Sequence, residues 1–425
     1  MPERNGPGFG LTFDKPVSTD EEGRVALGSP SVYRDHHVVD GDDPEAISLI
    51  NTEITVRPKR PRQKCCVCCG LNCGLFWKAF GIVVAIFAVW NAFKLIRWAV
   101  TPSPTGLEHM PLYGTSLGCL AAPYIYTDST KSFNVPIGEV WADHGMDIRG
   151  GAVGTITVVE GSPGATKMKY EVTIRTDNKA LLDDIILDAT PDQDVGVKDS
   201  RLLISTPHPG EGSCVRYDIK MFIPPNLKKI HLASHTVAHV QFDPESHIQL
   251  EDFFVTLFSS NTNNMILPHN NLRSIKMSLE VYRGWIVGDV SIDKTTTITT
   301  QRGDGVMNVR VHPTAPADPV SPQLAYLRTT GGAGRTDVFY VNDQSPVHRP
   351  IESVHMSSMN ADMYLTYREA HYTGLVELAA HSYTAMGLQK FTAVDANDKW
   401  THWFGEENGK DTLHIKSRGW VGAYF

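Results

Sequence analysis

No Asn-x-Ser/Thr sequon occurs anywhere in this 425-residue chain, which weighs against a domain heavily exposed along the secretory route. The first few tens of residues carry no apolar run, so a cleaved secretory signal is not expected. Positive charge is in deficit: 39 Lys and Arg against 47 Asp and Glu give a formal net charge of −8. Such a chain lacks the basic face that displaces counterions from phosphate, which excludes nucleic acid as a partner. Cysteine is scarce outside one cluster. Of seven, five lie between Cys65 and Cys73, and only Cys119 and Cys214 follow. That count rules out a disulfide scaffold, while Cys119 and Cys214 are either one bridge in an oxidising lumen or two buried thiols. Helix signals are sparse as well, and in the long C-terminal part only residues 179–188 are ambiguous between helix and strand.

What stands out against these deficits is one apolar stretch, LFWKAFGIVVAIFAVWNAFKLIRWAV, at residues 75–100. The uncharged core from Ala79 to Phe93 is shorter than the ~20 residues a bilayer requires, but Lys78 and Lys94 can snorkel to the headgroups. Apolar residues cover every side of the helix rather than one stripe, and Trp77 and Trp98 fall near the two interfaces. The Thr101-Pro-Ser-Pro104 sequence ends the helix, because neither proline donates to a continuing one. The reading is a single transmembrane helix, with the lipid bilayer as its partner. Arg57, Lys59, Arg60, Arg62 and Lys64 precede it against Lys94 and Arg97 at its far end, which places the N-terminus in the cytosol and the rest outside. The membrane is that of the cell surface or of the endosomal and vacuolar system.

Residues 1–64 are rich in Gly, Pro, Asp, Glu and Ser and show no sustained period. They are expected to be disordered, since they cannot bury enough apolar surface to offset chain entropy. Within them Glu45-Ala-Ile-Ser-Leu49-Ile50 resembles an acidic dileucine sorting signal, a carboxylate followed by two adjacent aliphatics that cytosolic sorting adaptors can dock. Residues 65–74 place Cys65, Cys66, Cys68, Cys69 and Cys73 beside the membrane behind a basic run. Juxtamembrane thiols in that position are candidates for palmitoylation. A zinc knuckle has C-x-x-C spacing in its favour but no second Cys or His pair to complete a tetrahedron. No metal or cofactor is expected.

Residues 101–132 read as a stalk or linker. Gly114-Thr-Ser116-Leu-Gly118 matches the G-x-S-x-G pattern of a nucleophile elbow, yet that chemistry requires a strand before the serine and a helix after it. Pro111 and Pro123 flank the motif, and no strand and helix alternation surrounds it. From residue 133 to 425 short stretches alternate apolar and polar residues between Gly, Asn, Asp and Pro, as in Lys169-Tyr-Glu-Val-Thr-Ile-Arg175 and Val215-Arg-Tyr-Asp-Ile-Lys-Met-Phe-Ile223. Period 2 buries one face of a strand and wets the other. Between residues 223 and 311 a Gly or Asn recurs near each corner with a loose period on the order of 20 residues, the pattern of stacked coils. The fold expected is mostly β, a right-handed parallel β-solenoid-like domain after one transmembrane helix, with a β-sandwich as the alternative.

Four patches carry a family resemblance: Tyr217-Asp-Ile-Lys-Met-Phe-Ile-Pro-Pro-Asn-Leu227, Gly284-Trp-Ile-Val-Gly-Asp-Val-Ser-Ile292, Ile298-Thr-Thr-Gln-Arg-Gly-Asp-Gly-Val-Met-Asn-Val309 and Tyr372-Thr-Gly-Leu-Val-Glu-Leu378. In order, they resemble an adhesin domain family of unknown function, found in bacterial surface proteins and in fungal single-pass membrane proteins. The resemblance implies a parallel β-solenoid in a fungal-type membrane protein, with no catalytic residue to carry over. The insert at residues 312–322 and the Gly331-Gly-Ala-Gly334 loop depart from the pattern, and put a continuous coil in doubt beyond Val311.

Some β-helices cleave polysaccharides, so Asp289, Asp293 and Asp304 are weighed as acid/base groups, which need two carboxyls roughly 5–10 Å apart in an open groove. Asp beside Gly is also ordinary corner composition. His231, His235 and His239 recur every fourth residue, a metal-ligand spacing on a helix but not on a strand, and no His-Glu-x-x-His is present. Two functions follow. The first is a non-enzymatic, membrane-tethered adhesin-like module that binds cell-wall polymers or surface proteins. The alternative is an extracytosolic glycosidase or lyase.

Overall fold

The computed structural model describes residues 67–68, 71–100, 105–126, 132–191, 197–342, 348–391 and 399–425. Two compact units divide between Ile96 and Arg97. The first is dominated by the helix Cys73–Val100, preceded by a short antiparallel pairing of Val67–Cys68 with Leu71–Asn72. Within the helix, Trp77–Arg97 is 21 residues long, apolar enough to cross a membrane, and not buried by protein; it is the one such helix among the described residues. At ~1.5 Å per residue it reaches about 32 Å, close to the ~30 Å of a hydrocarbon core. Glu45, Leu49, Ile50, Cys65, Cys66 and Cys69 lie outside the described residues. Cys68 closes the first short strand and Cys73 opens the helix.

The second unit is mostly β, one large sheet that does not close on itself. From residue 229 to 366 its strands alternate between two parallel ladders, so each pairs with the next but one in sequence. In the first ladder Asp143–Gly150, Lys229–Ser234, Ile248–Leu257, Leu272–Val281 and Thr295–Thr300 lie side by side. Ala325–Gly331, Ile351–Ser357 and the start of Asp411–Tyr424 continue it. The second ladder runs Val153–Glu160, Val237–Phe242, Met265–Leu267, Trp285–Ile292 and Val306–Pro313. Thr336–Tyr340, Met363–Thr366 and the end of Asp411–Tyr424 complete it. Between residues 229 and 366 neighbours in a ladder are offset by as few as 19 residues, Lys276 to Thr295, and as many as 31, Thr295 to Tyr326, whereas Asp143 to Lys229 spans 86 and Glu352 to Thr412 spans 60.

Alternation explains why these segments are strands. Every second residue of Lys167–Thr176 is buried, and the same holds for Thr295–Thr300. Stacking in register then lines identical positions into inner rows, one of which reads Leu232, Val255, Leu279, Ile298, Thr329, His355, Ile415. Where that row turns polar, the polar atoms bond to one another. Thr329 Oγ1 lies 2.7 Å from His355 Nδ1, and His355 Nε2 lies 2.7 Å from the Tyr367 hydroxyl. Corners use the expected residues. Asn264 is fully buried and its amide donates to the carbonyls of Ser259, Asn261 and Arg283 while its Oδ1 accepts from Ala238. One side chain thereby ties three successive turns together. Gly284 beside it has φ +142°, and a Cβ there would stand 2.2 Å from the Asn264 carbonyl oxygen, so only glycine fits.

The ladders run on past the insert. Arg349, 7% exposed, pins the insert's two ends by donating to the carbonyls of Ile292, Asp293, Thr314, Gln323 and Leu324. Residues 179–188 resolve into a 3-10 turn, Lys179–Leu182, and a strand, Ile186–Ala189. At the start of the unit the strands become antiparallel: Lys167–Thr176 pairs with Val215–Ile223, Ser132–Pro136 and Tyr124–Ile125.

Candidate functional site

Each serine and aspartate that the sequence singled out for nucleophilic or acid/base chemistry is committed to a neighbour. Ser116 sits in the 3-10 turn Thr115–Leu117 and donates its hydroxyl to the Leu112 carbonyl at 2.7 Å. No strand leads into it and no helix follows. Asp289 accepts from His312 Nε2 at 2.8 Å, with Arg310 at 3.6 Å. Asp293 accepts from Thr314 and Gln249, and Asp304 pairs with Arg283 at 2.7 Å. The three histidines diverge. His231 lies edge-on to Phe254, and His235 stacks on Phe258 at 4.6 Å. His239 points the other way, into the second ladder, where it is fully buried.

A fourth arrangement, invisible in the sequence, has the look of a serine and histidine pair. His144 Nδ1 and Ser200 Oγ are 2.6 Å apart at the wall of an open cleft of 370 Å³. The proton positions settle its chemistry. Ser200 donates its hydroxyl proton to the Pro136 carbonyl, so His144 Nδ1 must be the donor in the shared bond. His144 Nε2, 2.6 Å from Tyr170 OH, is then the acceptor. Burial pushes the imidazole down to about 3. An imidazole whose Nδ1 carries the proton cannot take one from that serine, and the three groups form a closed structural relay.

The segment expected as a stalk is laid across the second ladder. Asn308 donates to the Thr105 carbonyl at 3.4 Å. Tyr113 packs on His239 with ring centres 5.6 Å apart, and the Gly114 N–H donates to His239 Nδ1 at 2.9 Å. His239 Nε2 in turn donates to the Asn263 carbonyl at 2.7 Å. The ring is therefore neutral with a defined tautomer, and burial lowers it to about 4. Arg216, 3% exposed, donates to the Gly114 and Gly118 carbonyls at 2.6 and 2.9 Å, and grips Asp218 with Nε and Nη2. Cys119 and Cys214 are joined by a disulfide just beyond. Sequence reading singled out neither Arg216 nor Tyr113. The contacts that hold the strap, Arg216 with Gly114 and Gly118 and Tyr113 with His239, join residues about a hundred or more positions apart with no local pattern to announce them.

Beyond this strap the outward faces of both ladders are open. On the first, Lys229, Asp252, Lys276, Thr295 and Tyr326 follow one another in register. On the second, Asp289, Arg310, Phe339, Thr366 and Tyr424 do so. Such rows step ~4.8 Å per strand and present a regular, mixed polar and aromatic surface.

Comparison with known proteins gives two solved structures of partial likeness. One is a crystal structure of a putative cell adhesion protein from Clostridium sporogenes, 11% identical, matched over 69% of this chain and 97% of that one with a TM-score of 0.20. The other is a putative adhesin from Bacteroides fragilis, 13% identical over 71% and 98%, with a TM-score of 0.26. Both are bacterial, so the fungal-type expectation gains no support. No family model matches the chain, and no curated protein does.

Proposed function

We propose that this chain is a membrane-tethered binding module without catalytic activity, whose β unit is a right-handed parallel β-solenoid displayed outside the cytosol. The observation that carries the reading is the contrast between its chemical groups and its faces. Ser116, Ser200, Asp289, Asp293 and Asp304 are each engaged locally, whereas the outward rows are long, regular and open. Parallel pairing of each strand with the next but one from residue 229 to 366 supports a solenoid over a sandwich, whose sheets are antiparallel with Greek-key connections. Polar and aromatic side chains set at a regular spacing on a stiff face suit weak multivalent contact with cell-wall polymers or other surface proteins.

The basic flank before the helix supports a cytosolic N-terminus. The cysteines at 65, 66, 68, 69 and 73 then lie within reach of acyl transfer, and Glu45, Leu49 and Ile50 within reach of sorting adaptors. Two measurements test the proposal. Protease added to sealed microsomes should trim the tail and spare the β unit, and the reverse pattern overturns the topology. The full-length protein should show no turnover across a panel of glycans and esters. Turnover abolished by Asp289→Asn or Asp293→Asn would replace the binding module with an enzyme.

A further inference from the structure

On the second ladder, past the end of the strap, lies an open cleft of 370 Å³ lined by Asn308, Arg310, Phe339, Thr366 and Glu369 among others. Its centre is a paradox of patterning. Phe339 occupies an outward position between buried Val338 and buried Tyr340, and is 37% exposed. Tyr340 stacks on Tyr367 at 5.1 Å, but Phe339 has no aromatic partner among the described residues. Its neighbours in register are Arg310 on one side and Thr366 on the other. The ring therefore offers a flat apolar surface to solvent with hydrogen-bonding side chains on either side of it.

From this geometry we propose that the cleft is a saccharide subsite, in which the Phe339 ring stacks on the apolar face of a pyranose and the rim binds its hydroxyls. The inference rests on the binding-module reading and names the ligand class for it. Sugar hydroxyls both donate and accept, and the rim offers both roles. Arg310 supplies planar donors, the Asn308 amide has one hydrogen beyond the one it gives to Thr105, Glu369 supplies an acceptor, and the Thr366 hydroxyl does either. Thr366 and Glu369 have no side-chain partner among the described residues. An anionic ligand is disfavoured, because Asp289 stands 3.6 Å from Arg310 and Glu369 faces the same cleft. An extended peptide is disfavoured because the cleft floor is mid-ladder. Val306–Pro313 is paired with Trp285–Ile292 and Thr336–Tyr340, and the latter with Met363–Thr366. No backbone edge is left there for an added strand.

The test uses the full-length protein in lipid nanodiscs with chitohexaose, cellohexaose, laminarihexaose and mannohexaose as probes, read by isothermal titration and saturation-transfer NMR. At least one should bind saturably, with affinity about tenfold weaker in Phe339→Ala and retained in Phe339→Tyr. Thr366→Val and Glu369→Gln should each weaken it roughly threefold. Ile275→Ala, on the other ladder, should leave it unchanged. A melting curve matching the parent checks that each variant folds. Absence of saturable binding by all four probes overturns the subsite, as does binding indifferent to Phe339→Ala or a peptide that binds through Phe339. Those outcomes leave the non-catalytic reading standing, whereas release of shortened oligosaccharides by the parent protein would overturn that reading itself.

Discussion

Removing the Cys119–Cys214 bridge by the double change Cys119→Ser, Cys214→Ser should destabilise the β unit without dislodging the strap. The bonded residues are 95 apart in sequence. Closing a loop of that size in the unfolded chain is worth about 4.7 kcal/mol in the chain-entropy model. With an unfolding entropy of ~2.1 cal/mol/K per residue over roughly 300 residues, the loss corresponds to a melting temperature lower by about 7 °C. In the folded state the strap keeps its other anchors, namely Arg216 on the Gly114 and Gly118 carbonyls, His239 on the Gly114 N–H and Asn308 on Thr105. Protection of the Gly114 amide from hydrogen exchange should therefore persist well below the melting transition. Arg216→Met is the complementary change. It removes two carbonyl partners and one side of the Arg216–Asp218 pair, although Asp218 retains Thr155 at 2.8 Å and Arg175 at 3.6 Å. That variant should keep the bridge but expose residues 105–118 to protease. The assay is thermal unfolding by circular dichroism on full-length protein in detergent, with limited proteolysis at room temperature. A melting temperature unchanged by the double serine variant, or a strap cut as fast in that variant as in Arg216→Met, would refute the reasoning.

Asp411 has a fully buried side chain that accepts from the Ile351 and Thr373 N–H groups and from His348, so Asp411→Ala should cost about 3–5 kcal/mol in urea unfolding; a cost below about 1 kcal/mol would contradict the role given to it. Gly284→Ala should destabilise by about 2 kcal/mol or more through strain at φ +142° and collision with Asn264, and a neutral effect would show that the corner can shift. His144 and His355 are held near 3 and His239 near 4, so between about pH 6.5 and those values the unfolded chain binds protons that the folded one refuses. Stability should then be full above about pH 6.5 and fall below it, by about 2 kcal/mol per histidine near pH 5. His348 runs the other way, because its bond to Asp411 raises its pKa, so its contribution is full at low pH and lost as pH rises through the raised value. A urea midpoint flat between about pH 8 and pH 5 would contradict the buried neutral imidazoles. Replacing the five clustered cysteines with serine should abolish labelling by a clickable palmitate analogue, and undiminished labelling would place the lipid elsewhere.

Much of the ladder was legible in the sequence, because period 2 and corner residues are local signals. Residues 215–223 were expected as a strand and Val215–Ile223 is one; Gly284 and Asn264 mark real corners. Met265–Leu267 escaped notice because three residues are too few to show a period. Beyond Val311 the Pro-rich insert hid the repeat, and what restores it is Arg349, whose carbonyl partners span residues 292 to 324. The strap was read as a stalk because its Pro, Gly and Tyr composition is that of a linker. Its order comes from Arg216 and His239, and no local pattern encodes a bond across a hundred residues. The relay of His144, Tyr170 and Ser200 was hidden for the same reason.

The disulfide also decides how a mechanical load would travel. Tension applied along the backbone from the helix side peels residues 105–118 first, then meets a covalent link at Cys119. From there force is shunted through Cys214 and bypasses residues 120–213, including the antiparallel strands Ser132–Pro136 and Lys167–Thr176 and the parallel neighbour Arg201–Thr206. It enters the fold at Val215–Ile223, a strand paired along both edges, with Val153–Glu160 on one side and Lys167–Thr176 on the other. A pull directed along that strand would load its two rows of hydrogen bonds together in shear, instead of unzipping them one by one. Under such a pull the bridge turns a peel into a shear, so that many hydrogen bonds share the load that would otherwise fall on one at a time.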